Sequence, residues 1–369
     1  MRYTDALLFM PDFRFHRLDF TVENGVFTGF FPHSGEGVSL YDALVVPGLI
    51  DLHCHGAIGE DFTYGGDIDK IARFLAKNGT TSFLATSLTT SEEVLTAAYR
   101  RAAEYHGNEH TGSARMLGIN MEGPFFSHKK GGAQDPTQLR LPSAAEFLRL
   151  WDACEGLIRI ADLAPELDGA FELIACAKER CTVSLAHTAC DYATAFAAFD
   201  AGVSHVTHLY CGMEPMHHRA PGPIPAAVEH DNVTAELIAD GVHVSPAMVR
   251  MAFRMFGPER VCLISDALAA CGLPDGDYAA GGMKVSVHDG AAWLPSGTLA
   301  GSARTLLGIM QKAISFGIPK EAAIRSCTAN PARVLGETKL GVIESGAAAD
   351  FLALNEDMTL LGVYSAGRV

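Results

Sequence analysis

From about residue 44 onward, short β-branched or apolar runs alternate with amphipathic stretches of helical period, the pattern of βα units laid around a parallel sheet. Eight such runs occur: "ALVVPGLIDLHCH", "TTSFLATSL", "RMLGINMEG", "LIRIADLAP", "CTVSLAHT", "GVSHVTHLY", "NVTAELIADGVHV" and "RVCLISDA". Helix-like segments such as "SEEVLTAAYRRAAEYH" and "DYATAFAAFDAG" separate most of them. Eight units predict a closed (β/α)8 TIM barrel, an α/β fold. An open doubly wound sheet is the alternative, but it usually has fewer strands and a glycine-rich phosphate loop after the first one, where this chain has "HCHG".

The two ends of the chain follow a different period. In "RLDFTVENGVFTGFF" apolar and polar residues alternate on both sides of a Glu-Asn-Gly turn, a hairpin signal. Near the C-terminus, "LGVIESGAAADFLALNED" leads from a glycine-containing turn into a short apolar strand with no helix after it. Residues 1–46 together with 337–369 are therefore expected to pair into one small β domain, with residues 47–336 forming the barrel.

With 369 residues and 48% apolar composition, the chain has ample material for a core. No apolar stretch approaches the roughly 20 residues that span a bilayer, and "MRYTDALLFMPDFRF" lacks the pattern of an export signal, so the expected location is the cytoplasm. The nine cysteines show no CxxC spacing and are expected to be mostly buried thiols. A formal charge of -15 argues against nucleic acid or an anionic membrane as partner. An anionic small molecule would need a local cluster of positive charge.

Barrel enzymes place their chemistry at the carboxyl ends of the strands, and here those ends are rich in metal-capable groups. In "PGLIDLHCHG", His53 and His55 sit one residue apart, so on a strand both imidazoles point to the same face and can grip one ion. The third run ends in Glu122, the fifth in His187, the sixth in His208 and the eighth in Asp266. A single histidine at a strand end is more often a hydrogen-bonded structural residue. Six such groups at five strand ends are a different matter. An unpaired carboxylate after "MLGIN" would carry a desolvation cost unless a cation or hydrogen bonds offset it. Imidazole and carboxylate together suit zinc or a divalent iron-group ion, and an open coordination position makes such a site hydrolytic.

These segments carry a resemblance. "PGLIDLHCHG", "NMEGPFFSHKKGGAQDP", "SLAHT", "THLYCGMEPMHHRAPG", "ELIADGVHV", "LISDALAACGLPDG" and "GTLAGS" resemble, in family order, the amidohydrolase superfamily and within it the N-acetylglucosamine-6-phosphate deacetylase family. His-x-His marks only the superfamily; the Glu-Gly-Pro, His-Leu-Tyr and Ala-Asp-Gly-x-His segments are distinctive of the deacetylases. Many amidohydrolases bridge two metals with a carboxylated lysine on strand four, but "LIRIADLAP" offers none, and Glu122 resembles its substitute. The resemblance implies a barrel with a small β-sandwich built from both termini. It implies hydrolysis of the acetamide of N-acetyl-D-glucosamine 6-phosphate to D-glucosamine 6-phosphate and acetate.

Residue by residue, the resemblance makes Glu122, His187 and His208 the ligands of a principal metal, with His53 and His55 similar to the ligands of a second. One or two divalent ions per subunit are expected, zinc first, with iron, manganese or cobalt as alternatives. Asp266 matches the aspartate that takes a proton from the attacking water and passes it to the departing nitrogen. By resemblance, Arg219 and His243 bind the sugar phosphate, reaching it from the neighbouring subunit of a homodimer; His217 and His218 flank Arg219, whose planar fork suits phosphate. Backbone groups of Cys211, Gly212, Leu299, Ala300 and Gly301 would hold the sugar and its acetyl group.

One departure stands out. Where family members typically read Lys-Lys-Gly-Ala-His-Asn-Pro, this chain has "KKGGAQDP", with Gln134, after Ala133, in place of a histidine held to orient the substrate carbonyl. Gln134 can donate an amide hydrogen but cannot become a cation. That leaves N-acetylgalactosamine 6-phosphate open as the preferred substrate. A cyclic amidase would want the carboxylated lysine and no phosphate cluster, and a noncatalytic sugar-phosphate binder would be expected to have lost Asp266.

Overall fold

A computed structural model describes residues 1–108, 110–280 and 282–365. Eight parallel strands lie side by side in chain order: β1 (Leu49–Cys54), β2 (Thr80–Ser87), β3 (Arg115–Met121), β4 (Ile158–Leu163), β5 (Thr182–Leu185), β6 (His205–Val206), β7 (Thr234–Leu237) and β8 (Val261–Leu263). The ring closes just beyond the last strand, where Cys54 bridges Ala267 in parallel. There Asp266 N donates to the His53 carbonyl at 3.0 Å and His55 N to the Ala267 carbonyl at 2.9 Å. This is the expected (β/α)8 barrel. β1 and β2 are buried along their whole length, as strands of a parallel sheet covered on both faces should be.

The outer helices follow from spacing and caps. Helix Ile68–Lys77 buries Ile68, Ile71, Ala72 and Leu75, the i, i+3, i+4, i+7 stripe, and the Asp67 side chain accepts from the amides of Asp69 and Lys70. Helix Glu92–His106 starts the same way, with Ser91 accepting from Val94 N.

The chain ends form a separate six-stranded sheet. Strand Val38–Pro47 sits between Arg2–Phe9 on one side and Phe351–Leu354 on the other, with the hairpin Phe15–Glu23 and Val26–Pro32 outward of the first and Leu360–Tyr364 outward of the second. Its core of Tyr3, Leu8, Phe20, Phe27, Val45, Ile343 and Phe351 draws on both termini. Of the residues expected in this domain, 366–369 lie outside the described ones.

One element was not anticipated. Between β8 and helix Leu306–Ser315, strands Gly276–Ala280, Met283–His288, Ala291–Trp293 and Leu299–Ser302 make a four-stranded antiparallel sheet. Its last strand is tied to the barrel, Ser302 N donating to the Asp266 carbonyl at 2.8 Å and Leu268 N to the Ser302 carbonyl at 3.0 Å. No helix among the described residues is long and apolar enough to cross a membrane.

Candidate active site

The six strand-end groups converge on the carboxyl rim of the barrel, all of them buried. Glu122, His187 and His208 form one cluster and His53, His55 and Asp266 another. In the first, Glu122 Oε1 lies 3.2 Å from His187 Nε2 and 3.1 Å from His208 Nε2, and the two imidazole nitrogens are 3.2 Å apart. In the second, His53 Nε2 lies 3.3 Å from His55 Nε2, and Asp266 Oδ1 is 3.3 Å from His55 Nε2 and 3.6 Å from His53 Nε2. Glu122 stands between them, with Oε1 3.6 Å from His53 Nε2 and Oε2 3.5 Å from His55 Nε2.

The backbone at these positions is unusual. His187, His208 and Asp266 have φ of 42°, 31° and 47°, left-handed conformations that non-glycine residues rarely hold without compensation. Each lies two or three residues beyond the end of a short barrel strand, where the turn aims the side chain across the rim. Gly132 and Gly212 allow the chain to close around His187. A Cβ on Gly212 would meet His187 Nδ1 at 2.8 Å, and one on Gly132 would meet His187 Cε1 at 3.3 Å.

Partners on the far ring nitrogens decide which way the histidines present themselves. His187 Nδ1–H donates to the Lys130 carbonyl at 2.8 Å and His55 Nδ1–H to the Thr86 carbonyl at 3.2 Å; a carbonyl can only accept, so both rings carry that proton on Nδ1. His53 Nδ1–H donates to the carboxylate of Glu236 at 3.1 Å. In these three neutral rings the Nε2 atoms are then bare lone pairs, and they face one another and carboxylate oxygens at 3.2 to 3.6 Å; His208 Nε2 lies among them, 3.1 Å from Glu122 Oε1, and its Nδ1 has no hydrogen-bond partner among the described residues. Lone pairs so arranged repel unless a cation lies among them, which is the donor set and second shell of a divalent-metal site. The residues fit such an ion.

Electrostatics agree. Burial pushes the Glu122 carboxyl up, but the positive charge that His53 takes on when protonated, with the hydrogen bonds that His187, His208 and His53 then offer from Nε2, outweighs it and holds the group well below the usual carboxylate range, so that the carboxylate favours positive charge among these nitrogens, whether protons or a metal ion. Asp266 is likewise raised by burial and lowered further by His55 and His53, leaving it ionised.

A cavity of 270 Å³ opens over the clusters, near the lower end of the roughly 300 to 1,000 Å³ usual for ligand pockets. Ala133, Gln134, Cys211, Gly212, His243, Leu299 and Ala300 line it together with His55, Glu122, His187, His208 and Asp266. His53 lies beneath and Gly301 is the neighbour of Ala300, paired with Ala292. His243 Nδ1–H donates to Asp240 at 2.7 Å; burial lowers its pKa, but the Asp240 hydrogen bond and charge prevail and raise it. Arg219 is not among the lining residues: it is exposed on the loop after β6, with Nη1 2.6 Å from His218 Nε2. Among the described residues, the cavity lining contains neither lysine nor arginine.

Two features escaped the sequence reading. Glu236, fully buried in the middle of β7, supports His53 from below and also receives the backbone amide of His208 at 3.3 Å. A lone carboxylate in the apolar run "TAELIA" was the available signal, the same one that drew attention to Glu122. The second is that Gln134 contacts Glu122, which no local pattern announces.

The amidohydrolase family model matches residues 44–369. The chain is 38% identical to N-acetylglucosamine-6-phosphate deacetylase of Bacillus subtilis (strain 168), over 92% of this chain and 87% of that protein. It is 34% identical to N-acetylgalactosamine-6-phosphate deacetylase of Escherichia coli O157:H7, over 88% of this chain and 87% of that protein. Among solved structures it is similar to a mutant N-acetyl-D-glucosamine-6-phosphate deacetylase from Mycobacterium smegmatis in complex with N-acetyl-D-glucosamine-6-phosphate. The TM-score is 0.93 at 32% identity, covering 100% of this chain and 98% of that one.

Proposed function

The chain belongs to the amidohydrolase family, and from that premise we propose that it hydrolyses the acetamide of N-acetyl-D-glucosamine 6-phosphate, releasing acetate and D-glucosamine 6-phosphate. The observation that carries this reading is the convergence of Glu122, His187 and His208 with His53, His55 and Asp266 at the floor of one cavity of monosaccharide size.

Glu122, His187 and His208 would hold the principal divalent ion, and His53 and His55, beside Asp266, a second. Zinc suits this set of imidazole and carboxylate donors best, with iron, manganese and cobalt as alternatives. When bound, such an ion polarises a carbonyl and lowers the pKa of water from 15.7 toward about 7. The remaining work falls to the protein. Asp266, ionised and facing the cavity, accepts the proton of the attacking water and delivers it to the amide nitrogen as the tetrahedral adduct collapses, so that the amine leaves neutral. Backbone groups of Cys211, Gly212, Leu299, Ala300 and Gly301 hold the sugar and its acetyl group, with Ala133 and Gln134 closing the opposite wall.

The phosphate needs more positive charge than this chain's own cavity wall carries. His243, expected to reach in from the neighbouring subunit, lines this subunit's own cavity and, charged against Asp240, is one partner. The other is Arg219, brought by the neighbouring subunit of a homodimer. In support, Arg219 is exposed, and its loop carries Met216 along an apolar groove formed with Tyr210, Ile224, Val244 and Met248, which shares His243 with the cavity.

A second reading is favoured by one feature. Gln134 stands where the deacetylase family typically has histidine, and one relative is an N-acetylgalactosamine-6-phosphate deacetylase. An acetate-release assay with the gluco, galacto and manno N-acetylhexosamines, each with and without the 6-phosphate, separates the two readings. Acetate from none of them would sink both.

A further inference from the structure

Glu122 uses its two oxygens differently. Oε1 faces His187 and His208 at 3.2 and 3.1 Å, whereas Oε2 faces His55 at 3.5 Å and accepts a hydrogen bond from Gln134 Nε2 at 2.8 Å. The amide of Gln134 cannot be turned around to relax this. Its Oε1 accepts from the backbone N–H of Thr89 at 2.9 Å, and since that group can only donate, the amide nitrogen must face the carboxylate. Gln134 is buried, and its own backbone N–H is tied to the Gly131 carbonyl at 3.0 Å, so both ends of the side chain are fixed.

We infer that Gln134 is a positioning residue that ties down the Glu122 oxygen facing His55 and so keeps the two cation positions unequal, the Glu122–His187–His208 position filling first. A hydrogen bond to an ionised carboxylate occupies a lone pair and draws charge from the oxygen that accepts it. The oxygen affected is the one turned to the second cluster, which is left to rely on His53, His55 and Asp266. The glutamine thus acts through Glu122 on the ion count, a role distinct from any contact with the sugar.

The inference rests on the reading that both clusters hold cations. The test is a titration of zinc alone into chelator-stripped, full-length protein against a competing chromophoric chelator, for the natural chain and for Gln134→Met, which keeps the length and removes the donor. The natural chain should bind one ion tightly and a second much more weakly. In Gln134→Met the second affinity should rise roughly 10- to 100-fold, the worth of a hydrogen bond to a charged group, with the first changed far less. Should that variant fail to fold, Gln134→Asn keeps the amide but is one carbon too short to span Thr89 and Glu122, and the same rise is expected. A second affinity that is unchanged or weaker in the variants overturns the role of Gln134 while leaving the proposed function intact. No zinc bound by the natural chain overturns the inference, while the acetate-release assay decides the proposed function separately.

Discussion

His53 Nδ1 lies 3.1 Å from Glu236 Oε2, and both side chains are completely buried. Glu236 also receives His205 Nε2–H at 3.3 Å and the backbone N–H of His208 at 3.3 Å, so one carboxylate beneath the rim touches an imidazole of one cluster and the main chain of the other. Burial raises its pKa, but the positive charge His53 takes on when protonated and hydrogen bonds from His205 and His53 dominate and hold it far below the usual carboxylate range. A carboxylate behind a ligating imidazole fixes its tautomer and raises its basicity. Glu236→Gln is therefore expected to weaken ion binding at the His53–His55 cluster by roughly 10- to 100-fold. Equilibrium zinc titration checks this, and an unchanged affinity would leave Glu236 with a packing role alone.

Asp266 is expected to matter for turnover rather than for folding. It sits where β8 meets the rim, held by its backbone to His53 and Ser302, and its side chain faces the cavity. Asp266→Asn keeps the shape and removes the base, so kcat should fall by roughly 10²- to 10⁴-fold, the worth of general acid–base catalysis, while the tightly held ion stays. Acetate-release kinetics together with metal analysis of the variant decide the matter. Near-normal kcat would remove Asp266 from the proton transfer.

The barrel and the six rim groups were legible because each is written locally. An apolar run that ends in His, Glu or Asp is visible in ten residues, and the rule that barrel chemistry gathers at strand ends joins such runs across the chain. Contacts between distant segments were not legible. His53 and Glu236 are 183 positions apart, and nothing in either run names the other. The four-stranded sheet after β8 left a readable trace that was passed over. In "VSVHDGAAW", Asp289 and Gly290 both have positive φ, as a two-residue hairpin turn demands, between strands Met283–His288 and Ala291–Trp293. Its strands are short and half-exposed, so their alternation is weak beside the buried runs of the barrel.

Gly212 shows how little room the site leaves. Its φ of 61° disfavours any side chain, and a Cβ would come within 2.8 Å of His187 Nδ1, the atom that holds the ring to the Lys130 carbonyl. Gly212→Ala should cost about 1 to 3 kcal/mol of stability from backbone strain, and should also displace His187 and weaken zinc binding. Urea unfolding and zinc titration of the variant test the two parts separately. Full retention of both would show that the loop relaxes freely.

If Arg219 serves the neighbouring subunit, its loss should be repaired by a partner. Arg219→Ala is expected to raise KM for the phosphorylated sugar roughly 10- to 100-fold and to leave KM for the unphosphorylated sugar nearly unchanged. Mixing this variant with Asp266→Asn supplies, in mixed dimers, one site with an intact Asp266 and a partner's Arg219. Part of the activity at low substrate should then return after subunit exchange. Failure to complement, in a mixture verified to contain mixed dimers, would place Arg219 outside the neighbour's site.

Asp51 offers a pH test of the barrel's closure. It is fully buried on β1, where Oδ1 accepts the amides of Ser265 at 3.2 Å and His53 at 3.3 Å, while Oδ2 has no hydrogen-bond partner among the described residues. Burial raises its pKa to about 6, only partly opposed by the hydrogen bonds from Ser265 and His53. The unfolded value is near 3.9, so the folded state holds this proton more tightly. Its contribution to stability is complete below about pH 4 and is lost as pH rises through about 6. Asp51→Asn removes the titration. Measured by urea unfolding with the ions chelated away, the stability of the natural chain relative to Asp51→Asn should fall by roughly 2 kcal/mol between pH 4 and pH 7.5, most of the two units at 1.36 kcal/mol each. A difference that stays flat over that range would mean that the carboxyl enters the fold already ionised, with a partner for its second oxygen.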